Sequence, residues 1–290
     1  MKRLTISAFF SGLLAMGWFL GIDSRPGVAQ GAATSGQGKM RFRVMYTSNH
    51  LPAEAQAVLK GAHGGFAVDR RPGKGETYFS LKGAGIIQIS ADMKSVRMLP
   101  TAPEMAKVNL HNSAIWQGKD GSAFLTFPTN EAAKVFTTTT DGKLVHTLSA
   151  PDGKSDLGSP IANDYFRGRG NFVPTDADYL DGLLYVTTGY SNLDFVLTAK
   201  VESTSPFRAA WYDLAFGGKG TGPGQFGTGH GVTIPPGTTR VDIADRPNSE
   251  IDRFTRHGQY LSTVRMPLGS FPCDIYYHGK YSVVGSLHGP

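Results

Sequence analysis

The sequence of 290 residues contains 37 glycines and 17 prolines, and only 18% of its residues are charged. This composition excludes a mainly helical chain and favours an all-β domain with many tight turns. The net charge is +6, but the basic residues are scattered and form no run typical of a nucleic-acid groove, so nucleic acid is not an expected partner. The single cysteine, Cys273, excludes a disulfide-stapled secreted domain.

The N terminus has the pattern of an export signal. Lys2 and Arg3 precede an apolar run from Ile6 to Ile22, and small residues then allow cleavage after Ala29 or Ala33. We therefore predict that residues 1–33 form a signal peptide and that the protein is exported, to the periplasm or the extracellular space. The alternative is an uncleaved membrane anchor, because the apolar run is near the lower limit for a span. Only in that case would the protein contact a membrane.

Residues 34–60 are predicted to connect the signal to the main domain. A polar linker at Thr34–Gly38 precedes a strand at Met40–Met45, and helical patterning is confined to Pro52–Lys60. Residues 61–290 then carry short apolar strands separated by turn residues, which indicates an all-β domain.

The segment Phe216–Leu261 has the pattern of one complete blade of a β-propeller. A glycine-rich loop precedes His230, which lies at the start of a short apolar strand, Gly231–Ile234. Three more short strands follow, at Val241–Ala244, at Glu250–Thr255 and from Tyr260 onward. Four antiparallel strands of this length are the unit from which propellers are built.

Other parts of the chain repeat this pattern, with equivalent positions 43 to 64 residues apart. The equivalent positions are His63, His111, Thr175, His230 and Cys273. Five blades are visible, and the fifth ends at Pro290 after its second strand. Because a propeller must close to cover its edges, we expect a six-bladed ring whose C-terminal part is missing from this chain. The alternatives are a five-bladed ring closed by Met40–Met45, or a fragment that needs a partner; that strand could also be the outer strand of the missing blade.

The repeat alignment predicts a group of functional side chains at one mouth of the central channel. The first strand of each blade lines the channel, so His63, His111 and His230 should ring this mouth. The second strand ends at the same mouth, where the alignment places Tyr190 and Arg246. Three imidazoles suit Zn²⁺, although each histidine could instead pack as an ordinary strand residue.

The other members of the group also have alternative interpretations. Tyr190 could act as a base beside a cation or be a rim aromatic, and Arg246 could form a salt bridge with a nearby carboxylate. Substrate-binding candidates are Asp176, Asn192 and Asn248. Asp176 could instead hydrogen-bond backbone between blades.

The complete blade resembles an NHL repeat. The family's GxGPGQF approach matches Gly220–Phe226, its His-Gly entry matches His230-Gly231, and its ADRxNxRIxxF hairpin matches Ala244–Phe254. Glu250 departs from the pattern, because the family usually has arginine there. This resemblance implies a propeller of NHL-type blades.

A narrower resemblance is to the peptidyl-α-hydroxyglycine α-amidating lyases, which are NHL propellers with a catalytic zinc. Their DGYxN segment is similar to Thr188–Asn192, with Thr188 replacing the aspartate, and their ADRxN segment is similar to Ala244–Asn248. The resemblance implies that His111 and His230 bind zinc, that Tyr190 takes the substrate's hydroxyl proton and that Arg246 steadies its carboxylate. A third zinc histidine would lie beyond Pro290.

These observations favour a zinc-dependent lyase or hydrolase that acts on a small molecule or peptide at the channel mouth. The alternative is a non-catalytic NHL propeller that binds a protein or glycan partner through its rim. A lactonase-like enzyme with a calcium centre ranks last, because only Asp176 and Asp274 fit the inward acidic residues it needs. A structural calcium ion remains a further expected cofactor.

Overall fold

The structure, a computed structural model, describes residues 6–8, 34–37 and 40–289. Most of the predicted signal segment lies outside the described residues, including Lys2, Arg3 and the cleavage positions. The strands are β1 (Ile6–Ala8), β2 (Thr34–Gln37), β3 (Met40–Arg43), β4 (Ala67–Val68), β5 (Thr77–Leu81), β6 (Gly85–Ile89), β7 (Val96–Met98), β8 (Ala114–Gln117), β9 (Ala123–Thr129), β10 (Lys134–Thr139), β11 (Leu144–Ser149), β12 (Asp176–Leu180), β13 (Leu183–Thr187), β14 (Phe195–Thr204), β15 (Phe207–Gly217), β16 (Gly229–Thr233), β17 (Arg240–Asp245), β18 (Glu250–Thr255), β19 (Tyr260–Arg265), β20 (Pro272–His278) and β21 (Tyr281–Ser286).

Helical segments are few and short. They are the α-helices α1 (Ala53–Val58), α2 (Pro103–Ala106) and α3 (Pro160–Arg167), and the 3₁₀ turns Ser48–His50 and Leu59–Gly61. Among the described residues, no helix has the length and apolar character needed to cross a membrane.

The strands form successive four-stranded antiparallel sheets, as the repeats predicted. Strands β4–β7, β8–β11, β12–β15 and β16–β19 make four such sheets, each in chain order. Strands β20 and β21 begin a further sheet, in which β1 pairs in parallel with β21. The all-β architecture of repeated blades is therefore confirmed, whereas six blades in a closed ring stays a prediction.

The first strands of successive sheets lie side by side, β4 next to β8, β8 next to β12, β12 next to β16 and β16 next to β20. Together they line a cavity of about 440 Å³. Sheets that extend outward from inner strands around a common cavity are the arrangement of a β-propeller. This arrangement brings the start of each first strand to one rim.

Apolar side chains that alternate along each strand pack between neighbouring sheets. Trp116 of β8 stacks on Tyr179 of β12 with ring centroids 4.1 Å apart. Between the next two sheets, Tyr185, Phe226 and Phe254 are almost completely buried. Burial of each such side chain contributes about 1.5–3 kcal/mol, so the contacts between sheets hold the inner strands in place around the cavity.

The strand predicted from Met40 forms as β3, and it pairs antiparallel with Thr34–Gln37, which was expected to be part of a polar linker. The expectation that helix is confined to Pro52–Lys60 is wrong. Helix α3 begins at Pro160 and is capped by Ser159, whose hydroxyl accepts from the Ala162 amide. A serine cap followed by proline is the signal that predicts such a helix start.

Candidate functional site

His111 is held at the rim by its own sheet and by the next one. Its backbone N–H donates to the Pro128 carbonyl at the end of β9 (2.8 Å), and its side chain is buried. The imidazole Nδ1 lies 2.7 Å from the carbonyl oxygen of Thr175. A carbonyl only accepts, so Nδ1 carries the hydrogen and Nε2 carries a lone pair.

His230 has the same arrangement one sheet further on. It belongs to β16, and its Nδ1 lies 2.8 Å from the Cys273 carbonyl oxygen. Thr175 and Cys273 hold equivalent positions in the repeat, so each of the two histidines donates to the equivalent residue of the next sheet. The propeller geometry therefore fixes both rings in one tautomer, with the Nε2 lone pair available for a proton or a metal ion.

The glycine after His230 permits this close approach. A Cβ added to Gly231 would lie 2.4 Å from the Cys273 carbonyl oxygen, the atom that accepts from His230. Gly189, which precedes Tyr190, is similar, because a Cβ there would lie 2.4 Å from the Gly229 carbonyl oxygen. Both positions exclude larger residues because backbone of the next sheet lies against them.

Tyr190 and Arg246 complete the group. The Tyr190 hydroxyl lies 3.1 Å from His230 Nε2 and accepts a 2.6 Å hydrogen bond from Arg246 Nη1. Since His230 Nε2 carries the lone pair, the hydroxyl donates its own proton to the imidazole. Arg246 Nη2 also lies 3.1 Å from the Cys273 sulfur. Tyrosine, arginine and histidine thus form one directed chain of hydrogen bonds.

The predicted histidines lie in contact. The His111 ring centroid is 4.8 Å from that of His230 and 4.5 Å from that of His63. His63 differs in its hydrogen bonding, because its Nδ1 lies 3.3 Å from the Asn109 side-chain nitrogen. The structure therefore brings together the five residues expected at the mouth: His63, His111, His230, Tyr190 and Arg246.

Burial keeps these imidazoles neutral. It lowers the pKa of His111 to about 4, with the nearby His63 as a second cause. Burial and then the Arg246 charge lower the pKa of His230 well below the usual range, and the same two causes lower that of His63. Neutral imidazoles can accept protons or bind metal ions near pH 7, whereas imidazolium cannot.

The hydrogen bonds and positions of the three imidazoles show how well this group fits a metal ion. His111 Nε2 is buried and has no hydrogen-bond partner within the described part of the chain, and its Nδ1 donation to a carbonyl is typical of metal-binding histidines. His230 Nε2 is already occupied by Tyr190. Across residues 40–289, the ligand atoms of the three histidines do not gather within 4.8 Å of one another. The donor atoms are the nitrogen type that zinc prefers, with His111 the readiest ligand, but the three imidazoles are not gathered as a complete zinc site in this structure.

Two of the three substrate-binding candidates are engaged in other hydrogen bonds. The Asp176 carboxylate accepts from the Val232 amide of the next sheet (2.9 Å), so it hydrogen-bonds backbone between blades. Asn248 donates to the Gly220 carbonyl (3.0 Å) and to a neighbouring carboxylate of its own hairpin. Asn192 is exposed in its turn.

Sequence reasoning missed two acidic residues of the channel, Asp69 and Asp178. Asp178 lies two residues after Asp176 on the same face of β12, lines the cavity and accepts from the Ile234 amide (2.7 Å). Burial raises its pKa to about 7. The period of two along a strand is the signal that could have found it. Asp274, which the sequence did identify, lines the same cavity, and Arg70 and Arg71 give its wall positive charge as well.

The fold and this rim define the class of protein: a β-propeller with a histidine, tyrosine and arginine group at the start of its inner strands. No protein-family model matches the sequence, and no curated protein matches it.

Several solved structures resemble the chain, and their TM-scores are all below 0.5, so the fold assignment here rests on the sheet order and the inner-strand contacts. A catalytically inactive virginiamycin B lyase from Staphylococcus aureus, with quinupristin, is 19% identical with TM-score 0.42, and the match covers 73% of this chain and 58% of that one. A propeller domain of Cps50 (Swd1) from Myceliophthora thermophila is 13% identical with TM-score 0.46, covering 73% and 62%. A nidogen/laminin complex is 13% identical with TM-score 0.48, covering 76% and 70%.

Proposed function

We propose that this protein is an exported propeller enzyme, a lyase or hydrolase that acts on a small molecule or peptide at the channel mouth. One observation carries the proposal: His111, His230, Tyr190 and Arg246 come from three different sheets and meet at one rim. Perturbed pKa values in a polar group beside a cavity are characteristic of catalytic sites. Export rests on the N-terminal sequence pattern alone.

The hydrogen bonds suggest how the residues would act on a substrate hydroxyl. Tyr190 donates to the neutral His230 imidazole, and this bond holds its hydroxyl at the rim. With His230 Nε2 on an ion, the Tyr190 proton would leave to solvent, and the phenolate could take the proton of a substrate hydroxyl. The Arg246 guanidinium donates to the Tyr190 oxygen and would stabilise the phenolate that forms. Arg246 is half-buried, so its positive charge is also available to a substrate carboxylate.

Zinc is the cofactor that the donor set favours. His111 and His230 would hold it through Nε2, with His63 beside them, and it would supply a Lewis acid for the substrate's oxygen atoms. His230 would then have to exchange its hydrogen bond to Tyr190 for the ion. The two Nδ1–carbonyl bonds would keep both rings oriented.

The substrate class follows only from the resemblance to the amidating lyases. A peptide that ends in α-hydroxyglycine carries both a hydroxyl and a carboxylate, the two groups that Tyr190 and Arg246 would recognise. A non-catalytic propeller would have no need to gather buried neutral histidines, a tyrosine and an arginine from three sheets at one rim, and for this reason we prefer the enzyme.

The test is to measure zinc content and turnover on the same preparations. Wild type, His111→Ala and His230→Ala would be analysed for metal by mass spectrometry and assayed against α-hydroxyglycine peptides and simple lactones. His257→Ala, in an exposed turn, is the matched control. We expect about one zinc per chain, lost in both rim variants and kept in the control, with turnover following the metal. Folded wild-type protein without zinc or turnover would leave the binding propeller as the better account.

A further inference from the structure

A second group of ionisable side chains lies on one face of the sheet β16–β19. Asp245 of β17 pairs directly with Glu250 of β18, and Asp252 lies two residues further along β18. Residues two apart on a strand share a face, so the three carboxylates point to the same side. Each offers one oxygen atom, and these atoms all lie within 4.8 Å of one another.

This acidic group is buried and only partly neutralised. Asp245 and Asp252 are completely buried and Glu250 is 2% exposed. Arg265 of β19 contacts the Glu250 carboxylate, but its own side chain is 73% exposed. Like charges opposite each other on neighbouring strands are destabilising, and burial strengthens that repulsion.

The hydrogen bonding of the Asp252 carboxylate indicates that it can bind a cation. One of its oxygens accepts from the Thr263 hydroxyl. The other, Oδ2, is buried and has no hydrogen-bond partner within the described part of the chain. A buried carboxylate oxygen without a partner is costly, and in natural proteins such groups pair or bind a cation.

Burial raises the pKa of all three carboxyls, that of Asp252 to about 7. The negative charges of its two neighbours act in the same direction on Asp252. A bound cation would relieve both the burial cost and the mutual repulsion.

We propose that Asp245, Glu250 and Asp252 form a calcium-binding site. The donors are all carboxylate oxygens, which suit calcium better than zinc, because zinc sites are built mainly from nitrogen and sulfur ligands. Calcium takes 6–8 oxygen ligands, often with both oxygens of a carboxylate, and backbone carbonyls or water would complete the shell. The site shares no ligand with the histidine rim, and it gives the structural calcium ion expected from the sequence a specific position.

The position of the site links it to the rim. The Asp245 carboxylate accepts from the backbone amides of Gly227 (3.0 Å) and Thr228 (2.8 Å), directly before strand β16. The next residue after Asp245 is Arg246. An ion on Asp245 would therefore fix the ends of the two segments that carry His230 and Arg246, so its role would be to order the mouth, and it takes no part in the reaction.

Calcium binding can be measured without any enzyme assay. The full chain, freed of metal with a chelator, would be titrated with CaCl₂ by isothermal calorimetry and followed by thermal unfolding, with MgCl₂ in parallel. We expect one calcium ion per chain and a higher Tm on binding. Asp252→Asn should lower the calcium affinity by about tenfold or more. Asp181→Asn, which removes an exposed carboxylate, should bind as wild type does.

A second variant keeps the test decisive if Asp252→Asn does not fold. Glu250→Arg would place a guanidinium between the two aspartates, and we expect a folded protein whose Tm no longer responds to calcium. Wild-type protein without binding heat and without a Tm shift would overturn the proposal, as would calcium binding that survives in Glu250→Arg. Because neither readout involves turnover or zinc, failure here leaves the proposed enzyme untouched.

Discussion

Arg246 donates a 2.6 Å hydrogen bond to the hydroxyl of Tyr190, a residue 56 positions earlier in the chain. The two residues lie in the turns that follow the second strands of their sheets, Arg246 directly after β17 and Tyr190 three residues after the end of β13. Their contact joins neighbouring blades at the rim, and the hydroxyl passes the interaction on to His230. The predictions below follow from this chain of hydrogen bonds and from the backbone that supports it.

Removing the Tyr190 hydroxyl should weaken both stability and turnover. Tyr190→Phe leaves His230 Nε2 and Arg246 Nη1 without their shared partner, which should cost about 1–3 kcal/mol in the free energy of unfolding. Loss of a proton-transfer group should lower kcat by about 10²–10⁴-fold. Urea unfolding and the peptide assay measure the two effects. Tyr212→Phe, at an exposed tyrosine, is the control, and equal behaviour of the two variants would contradict the proposed role.

Arg246→Lys tests the forked geometry of the guanidinium. Arg246 reaches Tyr190 with one nitrogen and the Cys273 sulfur with the other, and an ammonium group cannot reproduce this fork. We expect a higher KM for a substrate with a carboxylate and a smaller change for the same substrate as an amide. Arg208→Lys, on the exposed side of β15, should leave the KM values for the acid and the amide unchanged. An equal KM change for acid and amide would argue against carboxylate recognition.

Gly231→Ala should destabilise the protein, because backbone of the next sheet lies against this glycine. The new methyl group would lie 2.4 Å from the Cys273 carbonyl oxygen, so β16 and β20 would have to separate, at a cost of about 1–3 kcal/mol. The same shift would remove the acceptor that orients His230. Gly285→Ala in β21 meets no atom within 4 Å and serves as the control in thermal unfolding. A Gly231→Ala protein as stable as the control would show that the strands are not in close contact.

Asp194 should make stability depend on pH. Burial raises its pKa to about 7 although its carboxylate accepts from the Gly229 amide and Lys219 lies nearby. An unfolded aspartate ionises near pH 4, so between about pH 4 and 7 the native state binds more protons. Its contribution to stability is therefore complete below about pH 4 and is lost as the pH rises through about 7.

Asp194→Asn removes this dependence. Relative to the variant, wild type should lose up to about 4 kcal/mol of unfolding free energy between pH 4 and pH 8, measured by denaturant unfolding at each pH. Asp164→Asn, at an exposed carboxyl, controls for general charge effects. A wild-type-to-variant difference that does not change with pH would show that the pKa of Asp194 is the same in the native and unfolded protein.

The amino-acid sequence by itself determined the repeated four-stranded pattern. Turn residues and alternating apolar positions are local signals, so strands such as β17 and β18 fall within a residue or two of their predicted bounds. The repeat alignment also predicted that His111, His230, Tyr190 and Arg246 would meet, because equivalent positions in a propeller share one rim.

Only the tertiary structure decided what these side chains contact. The tautomers of His111 and His230 depend on carbonyls 64 and 43 residues away, and no local pattern encodes such a contact. Asn248 looked equivalent to a site residue but donates within its own hairpin. The group of Asp245, Glu250 and Asp252 arises from strand pairing and burial together, and both depend on packing against neighbouring sheets.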